Sequence, residues 1–161
     1  MRIAVKQSRN LTLKLAAPAD AAPIAAMSRE LIEAGLPWTW TPERVARNLA
    51  QRDTLVLTAR DGKRLAGFAI MQFGDERAHL SLFAVRPDYQ RQGVGRRMLE
   101  WLIESALTAG IARIHLELRE TNLGARRFYL RQGYAETARI PGYYRGAETA
   151  VRMLREIRVK V

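Results

Sequence analysis

The sequence predicts a single mixed α/β domain with a central, mostly antiparallel sheet of six to seven strands and about four helices. Three observations lead to this fold class. Short runs with alternating apolar residues, such as "LTLKL" and "IHLEL", recur along the chain and predict strands. Segments with helical spacing lie between those strands, which is the element order of an α/β protein. The central strand–helix–strand unit predicts one parallel pair of strands.

We expect this domain to span residues 1–161, with residues 1–10 as a loose N-terminal segment. No apolar run approaches the ~20 residues that a membrane span requires. The start "MRIAVKQSRN" lacks the apolar core of a signal peptide. The chain has no cysteine, which excludes disulfides, thiolate zinc sites and a cysteine nucleophile. We therefore expect a cytoplasmic protein that does not contact membranes.

The first half of the chain predicts two helices and four strands. Asp20 is placed to cap a helix that runs to about Ala34. The segment "TPER" makes Thr41 the cap of a second helix, with proline at its first position and its end near Ala50. An Asp-Gly pair at 61–62 predicts a tight hairpin between two strands. The predicted strands are 11–15, 54–59, 64–73 and 79–85.

The second half predicts two further helices and three strands. A helix over 94–109 carries apolar residues at helical spacing and ends at Gly110. A shorter helix over 122–132 ends at Gly133. The predicted strands are 114–118, 134–140 and 149–157.

The chain is strongly basic, with 27 Lys and Arg against 16 Asp and Glu and a formal net charge of +11. Such a field attracts polyanions, among them nucleic acids, ribosomes and phosphorylated small ligands. An arginine-rich surface without a specific partner explains the same count. Charge alone therefore does not choose a function.

The stretch "VRPDYQRQGVGRRMLEWLIE" places two glycines and several arginines where a helix begins. A helix N-terminus exposes unpaired N–H groups and about half a positive charge, and glycines let an anion approach the backbone. Residues 90–96 therefore predict a phosphate cradle, with arginines at its rim. A Walker motif is excluded because no Gly-Lys-Ser/Thr follows, and a dinucleotide fingerprint would need glycine at Met98. A tight strand-to-helix turn without a ligand is the alternative.

The pattern Q-x-x-G-x-G after "AVRPDY" resembles the acyl-CoA signature of the GNAT superfamily of N-acetyltransferases. The segment "LELRETNLGARRFYLRQGY" resembles the second half of that family's core, and the resemblance extends over about residues 11–157. It implies a GNAT-like fold in which two central parallel strands splay apart. It also implies an acetyl-CoA-dependent N-acetyltransferase that acts on a primary amine by direct attack in a ternary complex, without a metal.

The resemblance implies a coenzyme A site on two neighbouring segments. Asn122 would reach the amides of the pantetheine arm; its alternative role is a helix cap. The backbone that would pair with that arm belongs to Phe83, Ala84 and Val85. The backbone that would bind the pyrophosphate belongs to Gln90, Arg91, Gln92, Gly93, Val94, Gly95 and Arg96.

The resemblance also implies the catalytic groups. Tyr129 would protonate the departing thiolate, and it shares a helix face with Asn122, seven residues earlier. Glu117, twelve residues before Tyr129, matches the base of the ribosomal-protein alanine N-acetyltransferases. His79 and Ser81 on the preceding strand are alternatives. A carboxyl pKa of about 4.3 is far below that of an amine, so a Glu base needs either a raised pKa or a water relay.

The acceptor site is expected between two loops, 33–43 and 139–148, as the resemblance implies. They offer Trp38 and Trp40 from the first loop and Tyr143 and Tyr144 from the second. These aromatic side chains predict a wall for the substrate; their alternative role is to cover the core. The acceptor is either the α-amine of a protein N-terminus or a small-molecule amine.

A second function class remains open at this point. A basic GNAT-fold module that binds RNA or ribosomes, or that senses acyl-CoA without turnover, would share the same motifs. We expect no nucleic acid partner, because no basic strand with interleaved aromatic residues is present. The expected state is a monomer or a homodimer.

Overall fold

The computed structural model describes residues 11–158, so the expectation for residues 1–10 lies outside the described part of the chain. Its helices are α1 (Ala21–Leu31), α2 (Pro42–Leu49), α3 (Val94–Thr108) and α4 (Leu123–Arg131). Its strands are β1 (Leu11–Leu15), β2 (Thr54–Asp61), β3 (Arg64–Phe73), β4 (Arg77–Val85), β5 (Arg113–Arg119), β6 (Ala135–Tyr144) and β7 (Glu148–Glu156).

The seven strands form one sheet in the order β1-β2-β3-β4-β5-β7-β6. Every pair is antiparallel except β4 with β5, which α3 connects. The predicted fold class is therefore confirmed, including the central parallel pair. None of the helices within residues 11–158 is long and apolar enough to cross a membrane.

Two apolar cores lie on opposite faces of the sheet. Ile24 and Met27 of α1 and Val45 of α2 pack on one face, where they meet residues such as Phe68. The other core contains α3 and α4 with the opposite side of the sheet, and it includes Tyr129. The loops at the edge of the first face and the start of α3 on the second face can thus both contact the same central strands.

The start of α1 differs from the prediction. A 3-10 turn, Pro18–Asp20, precedes the helix, and Asp20 makes no capping hydrogen bond to α1. Its carboxylate instead accepts a hydrogen bond from the N–H of Ala17 at 2.7 Å and pairs with Arg60 of β2. The predicted cap thus became an anchor to the sheet, because an ion pair with a distant strand is not visible in local sequence.

A β-bulge at Ser81 decides which way β4 faces. Ile70 of β3 pairs with Leu82, whereas the next residue, Met71, pairs with Leu80. Before the bulge, Leu80 packs in the α3–α4 core; after it, Leu82 packs in the α1–α2 core. Such an extra residue bends its strand and ends regular pairing.

The parallel ladder between β4 and β5 is accordingly short. It joins Arg77–His79 only to the first three residues of β5, Arg113 to His115. Beyond His79 the two strands diverge while β5 continues to pair with β7 on its other side. A wedge-shaped opening, which we call the β4–β5 opening, therefore lies between Ser81–Val85 and Leu116–Arg119.

Candidate active site

The turn before α3 leaves the first N–H groups of that helix uncovered. No side chain caps α3, whereas Thr41 and Asn122 cap α2 and α4 with hydrogen bonds of 3.3 and 3.1 Å. The first helical bond runs from the Arg97 N–H to the Gly93 carbonyl, at 3.0 Å. The three N–H groups before it precede the helical ladder and, with the helix dipole, make this end suited to an anion.

The two glycines of the turn serve different purposes. Gly93 has φ of 79°, in the left-handed region, and a Cβ there would meet nothing within 4 Å. Gly95 is helical, and its Cβ would lie 3.0 Å from the ring of Phe128 and 3.6 Å from that of Phe83. Gly93 thus gives the turn its left-handed conformation, whereas Gly95 allows α3 to pack closely against α4. The role of both glycines in anion binding stays a prediction.

Side chains within the turn brace it from inside. Gln90 donates to the Val85 carbonyl and Gln92 to the Asp88 carbonyl, each at 2.9 Å. Arg91, at φ of 61°, and Arg96 are exposed and add positive charge at the rim. Of the seven predicted cradle residues, the two glutamines therefore shape the turn, Arg91 and Gly93 lie within it, and Val94, Gly95 and Arg96 begin α3.

Aromatic rings border the β4–β5 opening on the α3–α4 face. The centroid of the Phe83 ring lies 5.9 Å from that of Phe128 and 6.1 Å from that of Tyr129. Tyr129 is 6% exposed, and burial raises the pKa of its phenol well above the ordinary value of 10, with Tyr134 nearby as a second cause. The phenol therefore keeps its proton at neutral pH.

Asn122 occupies the start of α4. Its Oδ1 accepts the hydrogen bond from the Ala125 N–H, and the residue is exposed. The alternative role that the sequence offered, a helix cap, is present in the structure. Its amide NH₂ group has no partner among the described residues and is the part that a ligand could use.

A cavity of about 280 Å³ lies on the other face, beside the opening. Trp40, Tyr143 and Tyr144 contribute to its wall, together with His79, Ser81 and Glu117 of the central strands. The remaining lining residues are Ile32, Glu33, Leu36, Pro37, Thr39, Leu82 and Arg145.

Trp38, in contrast, does not line this cavity. Its Nε1–H donates to the Ala25 carbonyl at 3.1 Å, and the guanidinium of Arg29 lies 5.0 Å from its ring. The side chain therefore covers α1, which is the alternative that the sequence left open. Of the two tryptophans in this loop, Trp40 therefore lines the cavity and Trp38 does not.

Glu33 explains how the loop between α1 and α2 is held. Its buried carboxylate accepts hydrogen bonds from the Thr39 N–H at 2.8 Å, the Thr39 hydroxyl at 2.6 Å and the Trp40 N–H at 3.3 Å. The Ser28 hydroxyl donates to the same group at 3.1 Å. Sequence analysis missed this residue, because a glutamate at a helix end normally indicates a solvated position.

Glu117 forms the centre of a polar cluster on the cavity floor. Its Oε1 lies 3.0 Å from His79 Nε2 and accepts the Tyr143 hydroxyl at 3.2 Å, while Arg152 Nε donates to Oε2 at 3.4 Å. Burial acts to raise the pKa of Glu117, but His79 and then Arg152 outweigh it and lower the pKa from 4.5 to about 2. The raised pKa that a direct Glu base requires is therefore contradicted.

The contacts of His79 extend this cluster into a chain. Its Nδ1 lies 3.3 Å from the Ser81 hydroxyl, and its Nε2 faces Glu117. Donation of the Nε2 proton to Glu117 leaves Nδ1 as an acceptor on the side of Ser81. Two candidates that the sequence treated as rivals to Glu117 are thus joined to it in one network.

Residues His79, His115 and Glu117 also offer ligand atoms within 4.8 Å of one another, as a metal site would. The two imidazole rings, however, are stacked at 4.6 Å with an interplanar angle of 11°. Lone pairs in parallel planes do not converge on one ion, and Arg152 brings positive charge to Glu117. We therefore interpret the group as a hydrogen-bonded network that can transfer protons.

Comparisons with known proteins agree with this geometry. Residues 25–134 match the model of the acetyltransferase (GNAT) family. The ribosomal protein bS18-alanine N-acetyltransferase of Escherichia coli is 38% identical over 105 residues, which is 65% of this chain and 70% of that protein. Its counterpart from Salmonella typhimurium is 38% identical over 118 residues, 71% of this chain and 78% of that protein.

The similarity extends to solved structures. The crystal structure of the Escherichia coli ribosomal-protein-alanine N-acetyltransferase aligns with a TM-score of 0.78 and 32% identity, over 94% of this chain and 96% of that one. Ard1 from Thermoplasma volcanium aligns with a TM-score of 0.83 and 22% identity, over 93% and 99%. The family model, the sequence similarity and the fold thus agree, and the chain belongs to the GNAT family of N-acetyltransferases.

Proposed function

We propose that this protein transfers the acetyl group of acetyl-CoA to a primary amine, by direct attack within a ternary complex. One arrangement carries the proposal. The β4–β5 opening has Tyr129 and the uncapped start of α3 on one face, and the cavity with His79 and Glu117 on the other. A thioester in that opening would have a proton donor on one side and an amine-sized cavity on the other.

The residues around the opening fit coenzyme A. Uncovered N–H groups at the start of α3, with Arg91 and Arg96 at the rim, supply the donors and positive charge that a pyrophosphate needs. The unpaired edge of β4 over Phe83–Val85 offers backbone groups to an extended arm, and the amide of Asn122 offers a further donor. When bound, acetyl-CoA supplies the acetyl thioester that the amine attacks.

We propose the α-amine of a protein N-terminus as the acceptor. The relatives with 38% identity are named for acetylation of an alanine in a ribosomal protein. Chemistry supports the same choice, because an α-amine has a pKa of about 8 and a lysine amine about 10.4. Deprotonation of the lysine would cost roughly 3 kcal/mol more at neutral pH.

The chain Ser81–His79–Glu117 would remove the proton from the amine. Glu117 is a poor proton acceptor because its pKa is about 2, whereas His79 carries an imidazole, the side chain that most often serves as a general base. Ser81 lines the cavity and contacts His79 Nδ1, so it would pass the proton to the imidazole. Glu117 would fix the orientation of His79 and stabilise its charged form.

Tyr129 would act on the opposite face. Because its raised pKa keeps the phenol protonated, the O–H group would be available to the departing sulfur. The sequence assigned this residue the same role, and the role remains a proposal.

The test compares Tyr129→Phe with Tyr134→Phe, which removes the same hydroxyl from a buried ring 5.4 Å away. Release of the coenzyme A thiol is followed with an alanine-starting peptide, and acetyl-CoA binding is followed by thermal unfolding. Tyr129→Phe is expected to reduce kcat by about 100-fold, as for loss of a general acid, with an unchanged Kd for acetyl-CoA. Tyr134→Phe is expected to retain kcat.

Two results would overturn the proposal. Saturating ligand at ~100 times Kd stabilises a protein by roughly 2.7 kcal/mol, so absence of any shift at millimolar acetyl-CoA would exclude this donor. Equal loss of activity in both tyrosine variants would remove the specific role of Tyr129.

A further inference from the structure

Arg145 is exposed at the tip of the hairpin between β6 and β7, and it contributes to the lining of the acceptor cavity. Its backbone has φ of 57°, in the left-handed region. Hydrogen bonds from Gly146 N–H to the Gly142 carbonyl (2.8 Å) and from Ala147 N–H to the Tyr144 carbonyl (3.1 Å) hold the turn in this form. Residues other than glycine are uncommon in this region, and such strain concentrates at functional sites.

The two carboxylates that line the cavity, Glu33 and Glu117, are already engaged. Glu33 accepts hydrogen bonds from Thr39 and Trp40. Glu117 is held by His79, Tyr143 and Arg152, as described above. Glu148, at the base of the same hairpin, has Arg119 at 3.6 Å.

The guanidinium of Arg145, by contrast, has no ion pair or hydrogen bond with any residue between 11 and 158. A cation on a constrained turn thus borders the cavity without a counterion. An unpaired guanidinium has five donors that match a carboxylate in geometry and charge.

We propose that Arg145 forms an anion subsite at the mouth of the cavity, and that the preferred acceptors are amines that carry a carboxylate close to the reacting nitrogen. The inference rests on the proposed function and specifies its substrate. It makes Arg145 a determinant of specificity, whereas proton transfer belongs to the groups on the cavity floor.

The spacing along the hairpin favours this pairing. The Tyr143 hydroxyl contacts Glu117 on the cavity floor, and Arg145 follows two residues later. Both residues line the same cavity, Tyr143 beside Glu117 and Arg145 at the turn of the hairpin. An acidic side chain at the second or third position of an N-terminus would therefore reach the guanidinium while the α-amine lies near Ser81 and His79.

The same cation would act against basic acceptors. A lysine or arginine at the second position would place like charges together, which is unfavourable at short range. Arg145 would thus discriminate in two directions, by attraction of an acidic residue and by repulsion of a basic one.

The experiment uses three peptides that differ only at the second residue, Ala-Glu, Ala-Gln and Ala-Arg, with the full-length protein and acetyl-CoA. The variant is Arg145→Asn, since asparagine tolerates the left-handed region and removes the charge. Arg131→Gln is the control, because it removes an exposed charge outside the cavity lining. Free alanine and alaninamide form a second pair, in which only alanine carries a carboxylate beside the amine, and this pair tests small-molecule acceptors separately from peptides.

We expect the wild type to prefer the Glu peptide over the Gln peptide by about fivefold in kcat/KM, the upper range for an exposed ion pair, with the Arg peptide poorest. Arg145→Asn is expected to remove this order, whereas Arg131→Gln, which lies outside the cavity lining, is expected to retain both the order and the turnover of the Gln peptide. The preference is expected to decrease as salt increases.

Binding of the same peptides in the presence of coenzyme A, followed by tryptophan fluorescence, provides a readout that does not need turnover. Turnover of the Gln peptide without any acidic preference would overturn the subsite and leave the proposed function intact. No turnover of any amine, with an acidic preference in binding that Arg145→Asn removes, would retain the subsite and overturn the reaction. Absence of the preference in both assays overturns the subsite.

Discussion

Replacement of Glu117 by glutamine tests the electrostatics of the cavity floor most directly. The carboxyl has a pKa of about 2 in the folded protein, against 4.5 in its ordinary state. The folded state therefore binds this proton less tightly than the unfolded state, so ionised Glu117 stabilises the fold above pH 4.5, and this stabilisation is lost as pH falls towards 2. A difference of roughly 2.5 pH units, at about 1.36 kcal/mol per unit, corresponds to about 3 kcal/mol.

The assay is urea unfolding of the wild type and Glu117→Gln between pH 5.5 and 2.5. We expect the variant to be less stable by about 3 kcal/mol at pH 5.5, with a difference that shrinks steadily on acidification. Glu156→Gln is the control, since its ion pair with Arg113 is largely exposed to solvent and a small, nearly constant difference is expected. A difference between wild type and Glu117→Gln that stays flat or grows as pH falls would refute the reasoning and support a raised pKa.

Two further predictions concern the turn before α3 and the loop after α1. Gly93→Ala is expected to lose about 1–2 kcal/mol of unfolding free energy and to weaken acetyl-CoA binding, because alanine avoids φ of 79°, whereas Gly93→Asn is expected to lose less. Chemical denaturation measures the unfolding free energy, and titration measures the affinity for acetyl-CoA. Equal losses of stability in the two variants would contradict the role of backbone conformation at Gly93. Trp38→Phe is expected to lose about 1 kcal/mol of stability with its hydrogen bond to Ala25 and to keep the KM of the acceptor, while Trp40→Phe is expected to raise that KM. Initial-rate kinetics with one peptide measure the acceptor KM of each variant. A raised KM in Trp38→Phe would indicate that Trp38 contacts the acceptor.

Helix caps and glycine turns in the sequence predicted much of this fold, because these features depend on residues that are neighbours in the chain. Thr41 caps α2 as predicted, and α3 begins at Val94 directly after the left-handed Gly93. The strand over Arg64–Phe73 has the predicted bounds, since glycine-containing turns at 61–62 and 74–75 lie just outside its two ends. Predicted bounds were poorer for β6, which continues to Tyr144 along an exposed edge where burial sets no pattern.

Strict period-two alternation does not hold in β4. Strict alternation would place His79, Ser81, Phe83 and Val85 on one face, whereas the bulge sends His79 towards the cavity and Phe83 towards α4. One extra residue in a strand has no local signature in this sequence. Its effect depends on pairing with β3, which lies elsewhere in the chain.

The sequence by itself determined the order of elements, the family resemblance, the basic turn at the start of α3 and the candidacy of Glu117 and Tyr129. Only the tertiary structure decided the state of Glu117, because its pKa is set by His79 on β4 and Arg152 on β7, 38 and 35 residues away. It also decided that Trp40 faces the cavity and Trp38 does not, since a buried carboxylate, Glu33, holds the loop between them. Periodicity and caps depend on neighbours in the chain, whereas charge and orientation in a site depend on residues that folding brings together.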